Sequence, residues 1–346
     1  MSFVLTEDQE MLRETAMAFA RDELSVNHLR ALRDAGANGK DAKTRQKLAE
    51  LGFFGVIIPD EPGAETFGLT GLGQILEAQG RTLAATPLLQ TALIAASAFQ
   101  LGGSPAQQAE WLPKIAAGEV TFALALDESA HFSPYSVSTE AERNGQGYTI
   151  NGMKKYVPDA HHADTLIVVA RTFGDSGDRH GLSLFLVPAN AKGVTISELK
   201  TVDSHGAAHV TFDDVVVSEG ALIGPADQGA DILDPVLDRA AIGMAAEMLG
   251  SAQAAFDMTL DRSCVAAALS AADEGKADLA ELASLAKAKA GELVHLVSNE
   301  CVQMHGGIGM TDAAEPGFYM KRARVQEALY GSASWHRDRY ARLAGF

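Results

Sequence analysis

The sequence Gln303-Met304-His305-Gly306-Gly307-Ile308-Gly309-Met310 closes a long helical pattern with three closely spaced glycines. We expect a helix to run up to Gln303 and stop there, because glycine tolerates the left-handed conformation that follows a last helical turn. A second turn, Leu329-Tyr330-Gly331-Ser332, precedes a final amphipathic segment. Turns of small residues between helices can present backbone N–H groups to a phosphate-bearing cofactor. A plain helix cap is the alternative interpretation.

The composition is that of a globular protein with an acidic surface. The 346 residues are 47% hydrophobic, and 28 Lys+Arg against 45 Asp+Glu give a net charge of −17. This charge opposes binding to nucleic acid or to an anionic membrane surface. No apolar run has the length of a membrane span, and the start of the chain lacks the pattern of a signal peptide. The two cysteines, Cys264 and Cys301, have no metal-ligand spacing, so we expect buried thiols in a reducing cytoplasm.

Residues 1–118 have the pattern of a helical domain. Thr6 and Gln9 fit the capping box that begins a helix. Further helices are predicted over residues 43–51, over 72–101 with an interruption near Pro87, and over 105–117. The apolar run 53–59 is bounded by glycine and proline, and we interpret it as buried extended chain.

After Gly118 the hydrophobic period changes from that of helices to that of strands. Short β-branched runs, with turn residues between them, cover 120–126, 148–150, 156–157, 166–171, 183–187, 194–199 and 209–217. This spacing is typical of an antiparallel β barrel or sandwich. The helical period returns in the last third, where Asp234 and Pro235 fit a helix N-cap and first position. We therefore predict an α+β multidomain protein with a helical domain at 1–118, a β domain at 119–224 and a C-terminal helical bundle at 225–346.

Five segments, in order, resemble the acyl-CoA dehydrogenase family over essentially the whole chain. Ala123-Leu124-Ala125-Leu126-Asp127-Glu128 resembles the Ala-Leu-Thr-Glu strand of that family. Tyr148-Thr149-Ile150-Asn151-Gly152-Met153-Lys154-Lys155-Tyr156 is similar to its Tyr-x-Leu-Asn-Gly-x-Lys-x-Trp segment, and His209-Val210-Thr211-Phe212-Asp213-Asp214-Val215 to its Phe-Asp-x-Val segment. The two glycine turns described above complete the set. The end of the chain looks most like short bacterial members, several of which act on sterol side chains as heteromers.

This resemblance implies an FAD-dependent enzyme that dehydrogenates an acyl-CoA thioester between its α and β carbons. It implies a dimer or tetramer, of identical or related subunits, in which FAD is held across a subunit interface, and an acceptor of the electron-transfer flavoprotein type. The implied flavin-contacting residues are Leu126, Asp127, Tyr156 and Pro158 in the β domain and Gln303, Gly306, Gly307 and Ser332 in the C-terminal domain.

The resemblance leaves the catalytic base open. Many members carry a glutamate where this chain has Tyr330, and tyrosine is a poor base at neutral pH. Other members carry the base on the first C-terminal helix, in a Leu-Glu-Arg context that Leu237-Asp238-Arg239 matches. The first hypothesis is therefore an active dehydrogenase in which Asp238 is the base and Arg239 its neighbour in the site.

The second hypothesis is a catalytically silent subunit whose heteromeric partner supplies the base. Asp127 and Pro158 stand where the family has threonines that contact the flavin. An Arg-x-x-Phe-Gly segment after the first C-terminal helix is also missing, because residues 256–261 run directly into 262–265. A binding module without redox chemistry is the third interpretation.

Overall fold

The computed structural model describes residues 5–37, 41–59, 61, 63–145, 147–274, 277–305, 316–329 and 331–346. The chain divides into two compact units, Met1–Ala252 and Gln253–Phe346, which are described separately below. The predicted helix–sheet–helix order along the chain is confirmed. The predicted domain boundaries at 118 and 224 stay predictions.

The first part of the chain is helical, and its first helix begins with the predicted capping box at Thr6. The helices are α1 Glu7–Glu23, α2 Val26–Asp34, α3 Ala42–Glu50, α4 Gly68–Thr82, a π-helix Leu88–Ala95, α5 Ala96–Gly102 and α6 Pro105–Ala116. The break near Pro87 is present, because this residue precedes the π-helix.

The segment 53–59 is buried but not extended, so this part of the prediction was wrong. It forms consecutive turns in which the Phe53 amide donates to the Leu48 carbonyl at 3.0 Å and the Ile58 amide donates to the Gly55 carbonyl at 2.8 Å. The aromatic rings of Phe53 and Phe54 are buried in the core. Turns of this kind satisfy the backbone locally, so an apolar segment does not need a neighbouring strand in order to be buried.

The central part of the chain forms one mixed, eight-stranded sheet. The strands are β1 Phe122–Ala125, β2 Glu140–Asn144, β3 Gly147–Pro158, β4 Thr165–Arg171, β5 Leu182–Pro188, β6 Val194–Leu199, β7 Ala207–Ser218 and β8 Leu222–Ile223. Their order is β6-β7-β3-β2-β4-β5-β8, with β1 paired to β4. Most pairs are antiparallel as predicted, but β1 runs parallel to β4.

Strands β2 and β8 were not predicted, and two runs that were predicted as separate strands form a single strand. The runs 148–150 and 156–157 both belong to β3, which pairs with β7. Strand β2 is polar, and of its five residues only Ala141 is buried, so it lacks the alternation that identifies a half-buried strand. Strand β8 has only two residues.

The last part of the chain contains α7 Gly229–Glu274, α8 Leu279–His305, α9 Pro316–Ala328 and α10 Ala333–Leu343. The prediction that Asp234 caps a helix starting at Pro235 was wrong, because α7 begins at Gly229 and contains both residues. The Asp234 carboxylate instead accepts hydrogen bonds from Tyr135 Oη at 2.9 Å and from Arg179 at 2.8 Å. Helix α7 continues through residues 256–265, where the Arg-x-x-Phe-Gly segment expected from the resemblance is missing.

Within the described ranges, no helix combines the length and the apolar character needed to cross a membrane.

Helices α4 and α7 approach each other backbone to backbone in the first unit. A Cβ atom on Gly80 would lie 2.0 Å from the carbonyl oxygen of Glu247, and one on Gly250 would lie 1.9 Å from the carbonyl oxygen of Glu77. The Ser251 hydroxyl donates to the Gly80 carbonyl at 3.0 Å. Only glycine permits this distance, so the contact fixes which residues of the two helices lie side by side.

We expect Gly80→Ala to destabilise the protein by about 1–3 kcal/mol, because the added methyl group meets backbone that cannot rotate away. Gly73→Ala in the same helix is the control, since its Cβ would come no closer than 3.9 Å to the Ala246 side chain. The control is expected to be neutral or stabilising by up to about 1 kcal/mol, as alanine favours helix. Urea unfolding of the two variants checks this. Equal responses would contradict the proposed close contact.

Candidate functional site

A buried lysine joins the end of β1 to β3. The Lys154 ammonium donates to the Leu126 carbonyl at 3.0 Å and pairs with the Glu128 carboxylate at 2.7 Å. The backbone N–H of Lys155 donates to the Asp127 carbonyl at 2.6 Å. Burial lowers the pKa of Lys154 to about 8, against the opposing effect of Glu128. Leu126 and Asp127, the predicted flavin contacts at the end of β1, are thereby held against β3. This strand contains the predicted contacts Tyr156 and Pro158.

The Asp127 carboxyl has an unsatisfied atom in this region. Its Oδ1 is buried without a hydrogen-bond partner among the described residues. Burial raises the pKa of Asp127, although the charge of Lys154 acts against the rise. A carboxyl oxygen accepts hydrogen bonds, so the unpartnered Oδ1 is an acceptor available to a ligand. Nearby, Tyr156 is half exposed with a positive φ of 54°, and Pro158 is exposed.

A cavity of about 420 Å³ opens beside Pro158. Its boundaries are the end of α4 and the segment that follows it, the end of β3, the β6–β7 loop, and α7. The lining residues are Gln79, Leu83, Ala84, Thr86, Leu89, Gln90, Pro158, Asp159, Thr201, Asp203, His205, Gly206, Ala207, Met244 and Glu247. The walls are therefore apolar in part, with a concentration of carboxyl groups.

The carboxyl groups of the cavity differ in their protonation. Burial raises the pKa of Asp159 to about 8, and the charge of Glu247 adds to the rise. Burial also raises the pKa of Glu247; the charge of His205 acts against this and that of Asp203 adds to it. Burial acts on Asp203 as well, but hydrogen bonds from Thr201 and from the His205 amide keep its pKa below the usual range. Near neutral pH the cavity thus combines ionised and protonated carboxyls.

The predicted catalytic pair does not line this cavity. Asp238 is exposed, and it lies nine positions before Glu247, about two and a half helical turns, so the two side chains leave α7 on opposite sides. Arg239 donates to Ser97 Oγ at 3.1 Å and to Gln100 Oε1 at 3.4 Å, which ties α7 to α5. A catalytic role for the pair stays a prediction.

Of the cavity residues, sequence reasoning predicted only Pro158, and it missed among others Gln79, Asp159 and Glu247. For two of them, Asp159 and Glu247, the sequence itself contains a signal. Asp159 directly follows the predicted flavin contact Pro158, and Glu247 is the only carboxylate between Arg239 and Phe256. An isolated acid in a helix of small and apolar residues is a candidate for a buried, functional group.

The predicted flavin contacts of the second unit are described only in part. Gln303 is exposed near the end of α8. Ser332 is the N-cap of α10, where its Oγ accepts from the Trp335 amide at 3.3 Å, and it lines a cavity of about 380 Å³. Gly306 and Gly307 lie outside the described residues, as does Tyr330.

We expect Asp159→Asn to change how stability depends on pH. Between the ordinary pKa of 3.8 and the folded value of about 8, the unfolded chain releases this proton while the folded protein keeps it. This group therefore makes the free energy of unfolding fall as pH rises, by about 1.4 kcal/mol per pH unit.

The variant should remove this contribution, so its stability relative to the unmodified protein should increase from pH 5 to pH 8, within the window set by the two pKa values. Urea unfolding at several pH values measures the difference. Glu142→Gln, at an exposed position of β2, is the control and should show no such trend. A constant difference between Asp159→Asn and the unmodified protein would contradict a protonated Asp159.

Comparison with known proteins accounts for most of the chain. Family models match residues 6–119 as the N-terminal domain, 123–215 as the middle domain and 261–344 as the C-terminal domain of acyl-CoA dehydrogenases. Probable acyl-CoA dehydrogenase YngJ of Bacillus subtilis is 27% identical over 366 residues, covering 95% of this chain and 93% of that protein.

Two solved structures share the fold over nearly the full length. One, described as an electron transferring flavoprotein of Acidaminococcus fermentans, is 26% identical with a TM-score of 0.67 and covers 100% of both chains. The other, described as the Tcur3481-Tcur3483 steroid ACAD G363A variant, is 27% identical with a TM-score of 0.63 and covers 98% of both. With three domain models matched in order along one polypeptide, the chain belongs to the acyl-CoA dehydrogenase family.

Proposed function

We propose that this protein takes part in the FAD-dependent α,β-dehydrogenation of an acyl-CoA thioester. Its family consists of FAD-dependent oxidoreductases that act on CH–CH bonds. The observation that carries the proposal is the position of Pro158, a predicted flavin contact that lines the cavity between α4, the β6–β7 loop and α7. The volume of about 420 Å³ is within the range of small-molecule sites.

Four residues of the β region are the proposed flavin contacts. Leu126 and Asp127 at the end of β1 and Tyr156 and Pro158 in β3 would hold it, because Lys154 and the Lys155 amide tie these two strands together. The unpartnered Asp127 Oδ1 could accept a hydrogen bond from an N–H group of the ring. When bound, FAD supplies the acceptor for a hydrogen and its electron pair.

In the proposed reaction a carboxylate takes the α proton of the acyl group. The β hydrogen leaves with its electron pair, and the electrons of the broken Cα–H bond form the new double bond. Leu83, Leu89 and Met244 in the cavity wall provide apolar surface that excludes water and holds the chain. Exclusion of water strengthens the hydrogen bonds that stabilise the developing enolate.

In the active form of this proposal Asp238 is the base. It lies on the exposed side of α7 together with the exposed side chains of Ile242 and Leu249. A base must lie within hydrogen-bonding reach of the proton that it removes. Asp238 can therefore act only where a further protein surface and the substrate enclose this side of the helix.

The silent-subunit hypothesis is the second candidate, and the position of Asp238 favours it. This residue faces away from the cavity that Pro158 lines, and the base would then come from a related partner subunit. The structure described as the Tcur3481-Tcur3483 steroid ACAD is a relative whose description names two proteins. In either form we propose a dimer or tetramer, an acceptor of the electron-transfer flavoprotein type and the cytoplasmic location expected from the sequence.

We expect Asp238→Asn to lower the rate of acyl-CoA-dependent flavin bleaching by at least about 100-fold if Asp238 is the base. The visible absorbance of the anaerobic protein is measured before and after acyl-CoA is added, for protein made alone and together with a related subunit. Asp8→Asn, at an exposed position of α1, is the matched control and should bleach normally.

The outcomes separate the hypotheses. Normal bleaching by Asp238→Asn eliminates Asp238 as the base, and a yellow, active protein made alone eliminates the silent subunit. A protein that stays colourless with every related subunit contradicts the proposed function itself.

A further inference from the structure

The cavity wall contains a buried hydrogen-bond donor that no described residue accepts from. Gln79 is only 4% exposed, and its Oε1 accepts from the Thr86 hydroxyl at 2.8 Å. Its Nε2 is buried and has no hydrogen-bond partner in the parts of the chain that are described. Buried polar groups are nearly always satisfied, so an unused amide donor in the wall of a cavity indicates a ligand with an acceptor atom.

Carboxyl groups lie in the same part of the cavity. The close contact between α4 and α7 places Gly80, the neighbour of Gln79, against the backbone of Glu247. Glu247 in turn influences Asp159 electrostatically, and Asp203 influences Glu247. Gln79 and the three acids therefore line one cavity, together with its apolar side chains.

The chemistry of this region selects among ligand groups. A hydrocarbon would leave both the amide and the carboxyls unsatisfied, which costs free energy. An ammonium group can donate to a carboxylate but cannot accept from Gln79. A carboxylate can accept, but it is repelled by the neighbouring acids. A hydroxyl group both accepts and donates, so it satisfies both sides.

Metal binding does not explain the region. Among the residues that the structure describes, no three His, Cys, Asp or Glu side chains are arranged to hold a metal ion.

We propose that this cavity selects acyl-CoA thioesters whose acyl chain carries a hydroxyl group, which accepts from Gln79 Nε2 and donates to the Glu247 carboxyl. The inference rests on the proposed function, because it assigns the cavity to the acyl group. It adds a substrate class and two residues that determine specificity, and neither residue takes part in the transfer of hydrogen.

The test compares four CoA thioesters: hexanoyl-CoA and its analogues with a terminal hydroxyl, amino or carboxyl group. Calorimetry measures their binding to the flavin-loaded protein, together with its related subunit if it needs one. We expect the hydroxylated thioester to bind at least about 10-fold tighter than hexanoyl-CoA, because a site built for a hydroxyl discriminates against analogues that lack it.

Two variants and a matched control locate the effect. Gln79→Met and Glu247→Met should each reduce the preference to less than about 3-fold, because each removes one of the two polar groups that distinguish a hydroxyl from a methyl group. Glu77→Met changes a carboxyl on α4 that does not line the cavity, and it should keep the full preference. The preference of the unmodified protein is itself a test, so the inference remains falsifiable if a variant does not fold.

Several results would overturn the inference. Hexanoyl-CoA or the amino or carboxyl analogue binding as tightly as the hydroxylated thioester would do so. So would a Gln79→Met variant that shifts the flavin absorbance but keeps the preference, because the amide would then serve the flavin. Loss of hexanoyl-CoA turnover in Glu247→Met would show instead that this carboxyl acts on the α proton. Failure to bind flavin or any of the four thioesters is a distinct result, which contradicts the proposed function.

Discussion

The candidate site depends on the close contact between helices α4 and α7. This contact is possible only because Gly80 and Gly250 have no side chains. At Gly80 and Gly250 the backbones of α4 and α7 approach so closely that a Cβ atom would lie about 2 Å from a carbonyl oxygen, at 2.0 and 1.9 Å. This contact sets the register between the helices. As a result Gln79 on one helix and Glu247 on the other line the same cavity, although they are far apart in sequence.

The β1–β3 part of the candidate site depends on a buried charge. The Lys154 side chain is fully buried, and its ammonium joins β1 to β3 through the Leu126 carbonyl and the Glu128 carboxylate. Glu128 also accepts from the amides of Ser138 and Thr139, at 2.7 and 2.9 Å. A buried ion pair of this kind adds little stability on balance, but loss of one partner is costly. Its effect here is to fix where Asp127 lies.

The order of elements was predictable from the sequence because each part has its own hydrophobic period, and the family segments follow in order. The orientation of α7 was not. Its inward residues include Val236 and Gly243, while Ile242 and Leu249 on the other side are equally apolar but exposed. With apolar residues on both sides, periodicity cannot decide which side packs on α4. Asp238 was therefore predicted to face a cleft, and Glu247 was overlooked.

Two other errors have different causes. The sequence around Asp234 and Pro235 fits a helix start, but both residues lie inside α7. The Asp234 carboxylate accepts hydrogen bonds from Tyr135 and Arg179 instead of capping the helix. The polar strand β2 is held by its pairing with β3 and shows no pattern of its own. The Asp234 contacts join residues that are distant in sequence, which local propensity does not detect. Strand β2 pairs with its neighbour in sequence, and it was missed because its residues are polar.

The central claim is that the cavity between α4 and α7 holds the acyl group beside the flavin. Met244→Trp tests it most directly, because Met244 lines this cavity, and Met248→Trp on the same helix, at an exposed side chain outside it, is the control. The measurement is bleaching of the flavin absorbance by acyl-CoA in the anaerobic, flavin-loaded protein. We predict that Met244→Trp retains flavin but is no longer bleached, whereas Met248→Trp is bleached normally. Normal bleaching of Met244→Trp would contradict it.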